Sequence, residues 1–119
     1  MEQQETSGSR FGLTTPLGNG VKGNWESLIA GKSGLGAITR FPAEDLPCRV
    51  GGEVPLGADH PYRFDADALV SPKDRRRMDD FIVYALSAAE EAIAHSGWTP
   101  PSDEARERTG VMIGSGIGG

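Results

Sequence analysis

The sequence predicts an α/β chain whose sheet is begun within it but not finished, and three observations carry that expectation. Two segments, near residues 20–30 and 78–97, repeat apolar side chains at helical period. Thr109-Gly110-Val111-Met112-Ile113-Gly114 is a short continuous apolar run of the kind that forms a strand buried on both faces of a parallel sheet. Glycine contributes 17 of the 119 residues, about twice its usual share of roughly 7%. A strand buried on both faces needs neighbours on both edges and layers above and below. Two helices and one or two strands cannot supply them, so a larger domain or a second chain is expected to complete the sheet.

The elements follow in order. Residues 1–11 are expected to form a disordered tail, for no apolar side chain stands between Met1 and Phe11. Thr14-Thr15-Pro16-Leu17-Gly18 is a turn, with φ fixed by Pro and freed by Gly. Asn19 is then placed to cap a helix over 20–30, in which Val21, Trp25, Leu28 and Ile29 share one face. Gly31 supplies the left-handed stop. Residues 33–70 are rich in Gly and Pro, and Cys48 to Val54 reads as a short strand with a glycine bulge. Ser71-Pro72 opens a second helical region, Ser as cap and Pro at the first position. Its apolar stripe is Ile82, Leu86, Ala89 and Ile93, with Ala85, Ala88 and Ala92 beside it as a close-packing side. Gly97 ends it, Pro100-Pro101 prevent its return, and Ser102 to Arg108 is expected to be a charged loop.

Composition narrows the function. Twelve Lys and Arg stand against 17 Asp and Glu, a net charge of −5, which argues against nucleic acid as a bulk partner. The chain lacks an apolar run near 18 residues, so it contains no candidate membrane span. It opens on acidic and polar residues rather than a secretory signal. Cys48, the one cysteine, has no partner for an internal disulfide. A reducing cytoplasm is the expected setting.

Three groups of residues could carry chemistry. Lys73, Arg75, Arg76 and Arg77 are the one dense basic patch in an acidic chain, and on a helix Lys73, Arg76 and Arg77 share a face. Such a patch is either a solvated surface or a face that steers an acidic partner into register. Gly114-Ser115-Gly116-Ile117-Gly118-Gly119 fits the glycine pattern of a dinucleotide loop, but within these residues no helix follows it. Tight packing where a strand turns is the better account of those glycines. Nothing in the spacing pairs Cys48 with His60 or His95 as a nucleophile needs. Cys48 therefore reads as structural, His95 as a surface residue near a helix end, and His60 as a loop residue. No cluster has metal-ligand spacing.

Five blocks, in order, resemble the start of the β-ketoacyl-acyl-carrier-protein synthase II family. They are Thr15-Pro16-Leu17-Gly18-Asn19, Trp25 to Gly34, Asp65 to Asp79, Ala88 to Ile93 with Ser96-Gly97-Trp98, and Thr109 to Gly119. The resemblance covers 12–119, which is thereby expected to be a partial β-ketoacyl synthase N-terminal domain. It implies the N-terminal part of a thiolase-like fold, of layered helices and mixed sheet, in a homodimer of longer chains. It also implies a decarboxylative Claisen condensation: an acyl group passes from acyl carrier protein to a cysteine, and malonyl-acyl-carrier protein loses CO₂ and attacks the thioester. Two histidines stabilise the charge that develops. No cofactor is implied beyond the phosphopantetheine that the carrier protein brings.

Carried over residue by residue, the resemblance assigns no catalytic residue here. The family's nucleophilic cysteine and both histidines come after the glycine-rich block, and Cys48, His60 and His95 do not match them. Lys73, Arg76 and Arg77 match positions that meet acidic groups on the carrier protein. Ile117 matches the isoleucine at the far end of the acyl pocket. The family's apolar first strand is missing from Gln4 to Phe11. The expectation is thus a fragment or pseudogene product that neither catalyses nor folds stably alone, since lost strands remove burial that offsets chain entropy. The alternatives are a non-catalytic module docking an acidic partner through its basic face, or a nucleotide-binding fragment using the glycine-rich tail.

Overall fold

A computed structural model describes residues 10–117; the start of the expected tail, residues 1–9, lies outside them. Pro16-Leu17 turn the chain as expected, pairing β1 (Thr14–Thr15) antiparallel with β2 (Gly18–Asn19), Thr14 opposite Asn19 and Thr15 opposite Gly18. Helix α1 (Val21–Ile29) follows at once and ends at Gly31, whose φ is +66°.

Asn19 does not cap α1. The cap position belongs to Gly20, at φ 90° and ψ 149°, with no side-chain bond of its own. Asn19 is held in β2, where its Oδ1 accepts from the Thr14 hydroxyl (2.7 Å) and the Ser87 hydroxyl (3.0 Å). The first N–H of α1 is met from far along the chain. Glu91 Oε1 accepts from Val21 N–H at 2.7 Å, and Glu91 Oε2 accepts from Leu13 N–H at 3.0 Å. Asn24 Nδ2 adds two bonds of 2.8 Å to the carbonyls of Gly18 and Gly20.

The Gly- and Pro-rich stretch contains a second small sheet, β3 (Leu35–Ala37) paired antiparallel with β4 (Val50–Gly52). The expected bulge is absent: Leu35, Gly36 and Ala37 face Gly52, Gly51 and Val50 one to one. Gly51 and Gly52 instead leave room for Ile38 and Pro16, which a Cβ would meet at 3.3 and 2.9 Å. The Glu53 carboxylate closes this sheet by accepting from the Thr39 hydroxyl (2.7 Å) and from the N–H groups of Thr39 and Arg40. The Thr39 hydroxyl chiefly holds the Glu53 carboxyl below its ordinary range; desolvation opposes it, and the Thr39 and Arg40 N–H groups add to the lowering.

The second helical region is two helices. In α2 (Pro72–Arg75) Ser71 Oγ accepts from Asp74 N–H at 3.2 Å and Pro72 stands at the start, as expected. The chain then turns through 76–79 before α3 (Asp80–Ser96), which Gly97 stops at φ 64°. The charged segment after Pro101 is not a loop but a short helix, α4 (Asp103–Glu107), whose first turn Ser102 Oγ caps through Ala105 N–H.

Both long helices bury the side that apolar period did not select. Helix α1 buries Gly23, Asn24 and Ser27, with the Tyr62 ring so close that a Cβ on Gly23 would lie 2.3 Å from Cγ. Its expected core face is outside, with Trp25 and Leu28 each 60% exposed. Helix α3 buries Val83 and Ser87, while Leu86 and Ile93 of the expected stripe are exposed. The expected close packing of its alanines is present: a Cβ on Gly12 would stand 1.7 Å from the Ala88 carbonyl oxygen and 2.9 Å from Ala92 N. Phe64 and Val83 are buried in the small core, and Phe64 meets Tyr84 edge-on with centroids 5.0 Å apart.

The run at 109–114 is not a strand. Among the described residues nothing pairs with it, and Val111, Met112 and Ile113 are exposed, Met112 at 97%. A single apolar segment has no ladder of its own, so its backbone groups turn to water in place of a neighbouring strand.

Replacing Glu91 with Ala should cost about 1–2 kcal/mol, since two backbone donors lose a charged acceptor; Gln should cost less, and urea unfolding of both variants checks the order. The Glu53 tie is depressed in pKa by folding, so its contribution is present above the ordinary carboxylate range and is lost as pH falls through the lowered value. Acid titration of stability should accordingly be shallower in Glu53→Gln below the ordinary carboxylate range.

Candidate functional site

The basic residues occupy α2 and the turn after it. Lys73 is on α2, Arg76 is its C-terminal cap at φ −69° and ψ −13°, and Arg77 follows, its N–H donating to the Asp74 carbonyl at 2.9 Å. All three side chains are exposed, and none forms an ion pair among the described residues. The expected single helical face is reduced to one helical turn and its continuation, because α2 ends at Arg75. Arg75 itself behaves differently. Its Nη1 donates to the Met78 carbonyl at 2.7 Å, and its Nη2 is bonded to Asp80 Oδ1.

Asp80 has a second cationic partner, Arg40, whose Nη1 donates to Oδ2 at 2.9 Å. Arg40 Nη2 also donates to the Tyr84 hydroxyl (2.8 Å) and to the Val54 carbonyl (3.3 Å). The Tyr84 hydrogen bond chiefly raises the Arg40 pKa, with Asp80 and Glu53 adding to it, so this guanidinium is a fixed charge. No spacing rule joins residues 40, 75, 80 and 84; Arg75 carried a signal only as a member of the basic run.

The remaining candidates stand apart from that cluster. Ile117 is fully exposed at the end of the described residues, with no wall around it there. Gly114 and Gly116 have open space where a Cβ would be, while Gly118 and Gly119 of the same motif lie outside the described residues. The Cys48 thiol is exposed and donates to the Val50 carbonyl at 3.3 Å. His60 Nδ1 accepts from Tyr62 N–H at 3.1 Å, and His95 is exposed in the last turn of α3. No hydrogen bond among the described residues joins the thiol to either imidazole, so these three do not form a nucleophile and base. Among the same residues no group of three His, Cys, Asp or Glu side chains could hold a metal ion, and no helix is long and apolar enough to cross a membrane.

An apolar groove of about 610 Å³ lies along the outer side of α1, lined by Phe11, Leu13, Pro16, Leu17, Trp25 and Leu28 among others. Trp25 and Leu28 share one face of α1 by helical period; that this face lines an open groove is decided by which side of α1 the small residues bury.

The family described as beta-ketoacyl synthase, N-terminal domain, matches residues 11–119. The chain is 44% identical over 108 residues to 3-oxoacyl-acyl-carrier-protein synthase 2 of Rhizobium meliloti, covering 91% of this chain and 26% of that protein. It is 38% identical over 119 residues to the protein of the same name from Synechocystis, covering all of this chain and 27% of that one. To the mitochondrial 3-oxoacyl-acyl-carrier-protein synthase of Arabidopsis thaliana the identity is 36% over 122 residues, 91% of this chain and 26% of the relative. Among solved structures, the ishigamide ketosynthase/chain length factor superposes with a TM-score of 0.60 at 31% identity, over 76% of this chain and 21% of that one. The expected thiolase-like fold class therefore stands, and the chain spans about a quarter of the length of the curated relatives it matches.

Proposed function

The chain belongs to the β-ketoacyl synthase family, within its N-terminal domain, and from that premise we propose that the protein carrying it is a 3-oxoacyl-acyl-carrier-protein synthase of fatty acid elongation. The supporting observation is the 44% identity to a synthase of that name across 91% of the chain. In the proposed reaction a cysteine thiolate takes the acyl group from the carrier's phosphopantetheine thiol. Malonyl-acyl-carrier protein then loses CO₂, its carbanion forms the new carbon–carbon bond with the acyl carbonyl, and the cysteine leaves as thiolate. The product, a 3-oxoacyl chain two carbons longer, stays on the carrier. The residues described here contribute binding to that sequence of steps, not the nucleophile or the histidines.

Lys73, Arg76 and Arg77 are the docking cations in this reading. Acyl carrier protein is the partner whose acidic groups they would meet, and their exposure without intramolecular ion pairs supports that role. Ile117 is assigned to the end of the acyl pocket, where its side chain would limit chain length once surrounding segments close over it. A homodimer is proposed as well, supported by the exposed apolar faces of α1 and α3, which need a cover. The thiol of Cys48 is unpaired, which supports a reducing compartment; the cytoplasm is proposed, and the mitochondrial name of the Arabidopsis relative makes an organellar matrix the alternative. A second reading, a docking module without catalysis, draws on one observation, the exposure of Lys73, Arg76 and Arg77.

In the full-length protein, Arg76→Glu combined with Arg77→Glu should raise KM for carrier-bound substrates about tenfold at low salt, and added salt should shrink the difference from wild type. Unchanged KM would remove the docking role. Ile117→Phe should slow long acyl substrates before short ones, because added volume blocks the deep end of a pocket first. Equal losses at every chain length, measured by competition between substrates, would make Ile117 a packing residue only.

A further inference from the structure

We infer that Asp80, bridging Arg75 and Arg40, is a positioning residue that fixes the turn on which Arg76 and Arg77 are presented. The inference rests on the docking role proposed above and goes beyond it, by separating the cations that would meet the partner from the groups that aim them.

The turn needs such a device. Helix α2 has only four residues, far too few for an isolated helix to hold its own shape. The start of α3 is not closed in the usual way either, for Asp79 stands at its cap position without a side-chain hydrogen bond. What spans 76–79 is Arg75. Its guanidinium reaches forward over the turn to the Met78 carbonyl at 2.7 Å and on to Asp80 Oδ1, so both ends of the turn are tied to one planar group. The other oxygen of Asp80 accepts from Arg40 at 2.9 Å. Arg40 is in turn anchored on the Val54 carbonyl and the Tyr84 hydroxyl, and Tyr84 packs against the buried Phe64 ring. A line of contacts thus runs from the core to the turn.

Asp80 also keeps Arg75 engaged within the chain. Of the four clustered cations, the one bonded to its own chain spans the turn, and the other three point to solvent. Isolated exposed ion pairs contribute little, but two arginines sharing one carboxylate and two backbone carbonyls form a network whose geometry is set by planar groups.

Geometry and charge predict opposite outcomes, which makes the test sharp. Asp80→Asn removes an anion beside a cationic face, so charge alone predicts tighter binding of an acidic partner; Arg75→Lys keeps the charge and loses the fork. In the full-length protein, each variant should raise KM for carrier-bound acyl substrate by about threefold to tenfold while kcat moves less. Each should also speed hydrogen exchange at the Arg77 and Met78 amides, which donate to the Asp74 and Arg75 carbonyls. Equal or lower KM with unchanged exchange overturns the inference. Arg77→Glu is measured alongside: if it weakens carrier binding and the Asp80 and Arg75 variants do not, the positioning role alone falls. If Arg77→Glu leaves KM unchanged, the docking reading falls and takes this inference with it. Should Asp80→Asn fail to fold, Arg75→Lys decides by the same two readouts.

Discussion

The carboxylate of Glu91 is the constraint on which the packed part of the chain depends. One oxygen meets the first N–H of α1 and the other meets Leu13, residues 70 and 78 positions away in the chain. That tie sets the N-terminal end of α1 and the strand before it against the middle of α3. The approach it fixes is close enough that Gly12 has no room for a Cβ beside Ala88. Because one of its oxygens answers the first N–H of α1, the carboxylate's charge is well placed for the helix dipole too. Asn19 and Asn24 then complete the same junction, with every buried side-chain polar atom among the described residues satisfied.

The junction is polar and made of small residues, and it leaves the apolar faces unused. Trp25, Leu28 and Ile29 on α1, Leu86 and Ile93 on α3, and Val111 to Ile113 all face outward. Exposed apolar surface of that extent is costly in water and marks surfaces shaped for contact. Two small hairpins and a few helices hold together here by hydrogen bonds and glycine contacts more than by a hydrophobic centre.

A division of labour among cations governs the candidate site. Arg40 and Arg75 spend their guanidinium groups on Asp80, Tyr84 and backbone carbonyls. Lys73, Arg76 and Arg77 spend theirs on water. In a chain of net charge −5, α2 and the turn after it present three exposed cations that form no ion pair among the described residues.

Local rules decided much of this protein from its residues alone. The turn at Pro16-Leu17, the stops at Gly31 and Gly97, the Ser71-Pro72 helix start and the alanine side of α3 depend on φ preferences, caps and side-chain volume, which neighbours in sequence specify. The five ordered blocks also carried the family and the exposed basic patch. Tertiary structure alone decided the rest. Period analysis finds an apolar face but not what covers it, so α1 and α3 bury Gly23, Asn24, Ser27, Val83 and Ser87 instead. Gly20 takes the cap position of α1 while Glu91 meets its first N–H, and among the described residues Val111 to Ile113 pair with no strand; an acceptor or strand partner distant in sequence leaves no local mark. The Asp80 bridge was invisible for the same reason: residues 40 and 80 meet only once the chain has turned back on itself.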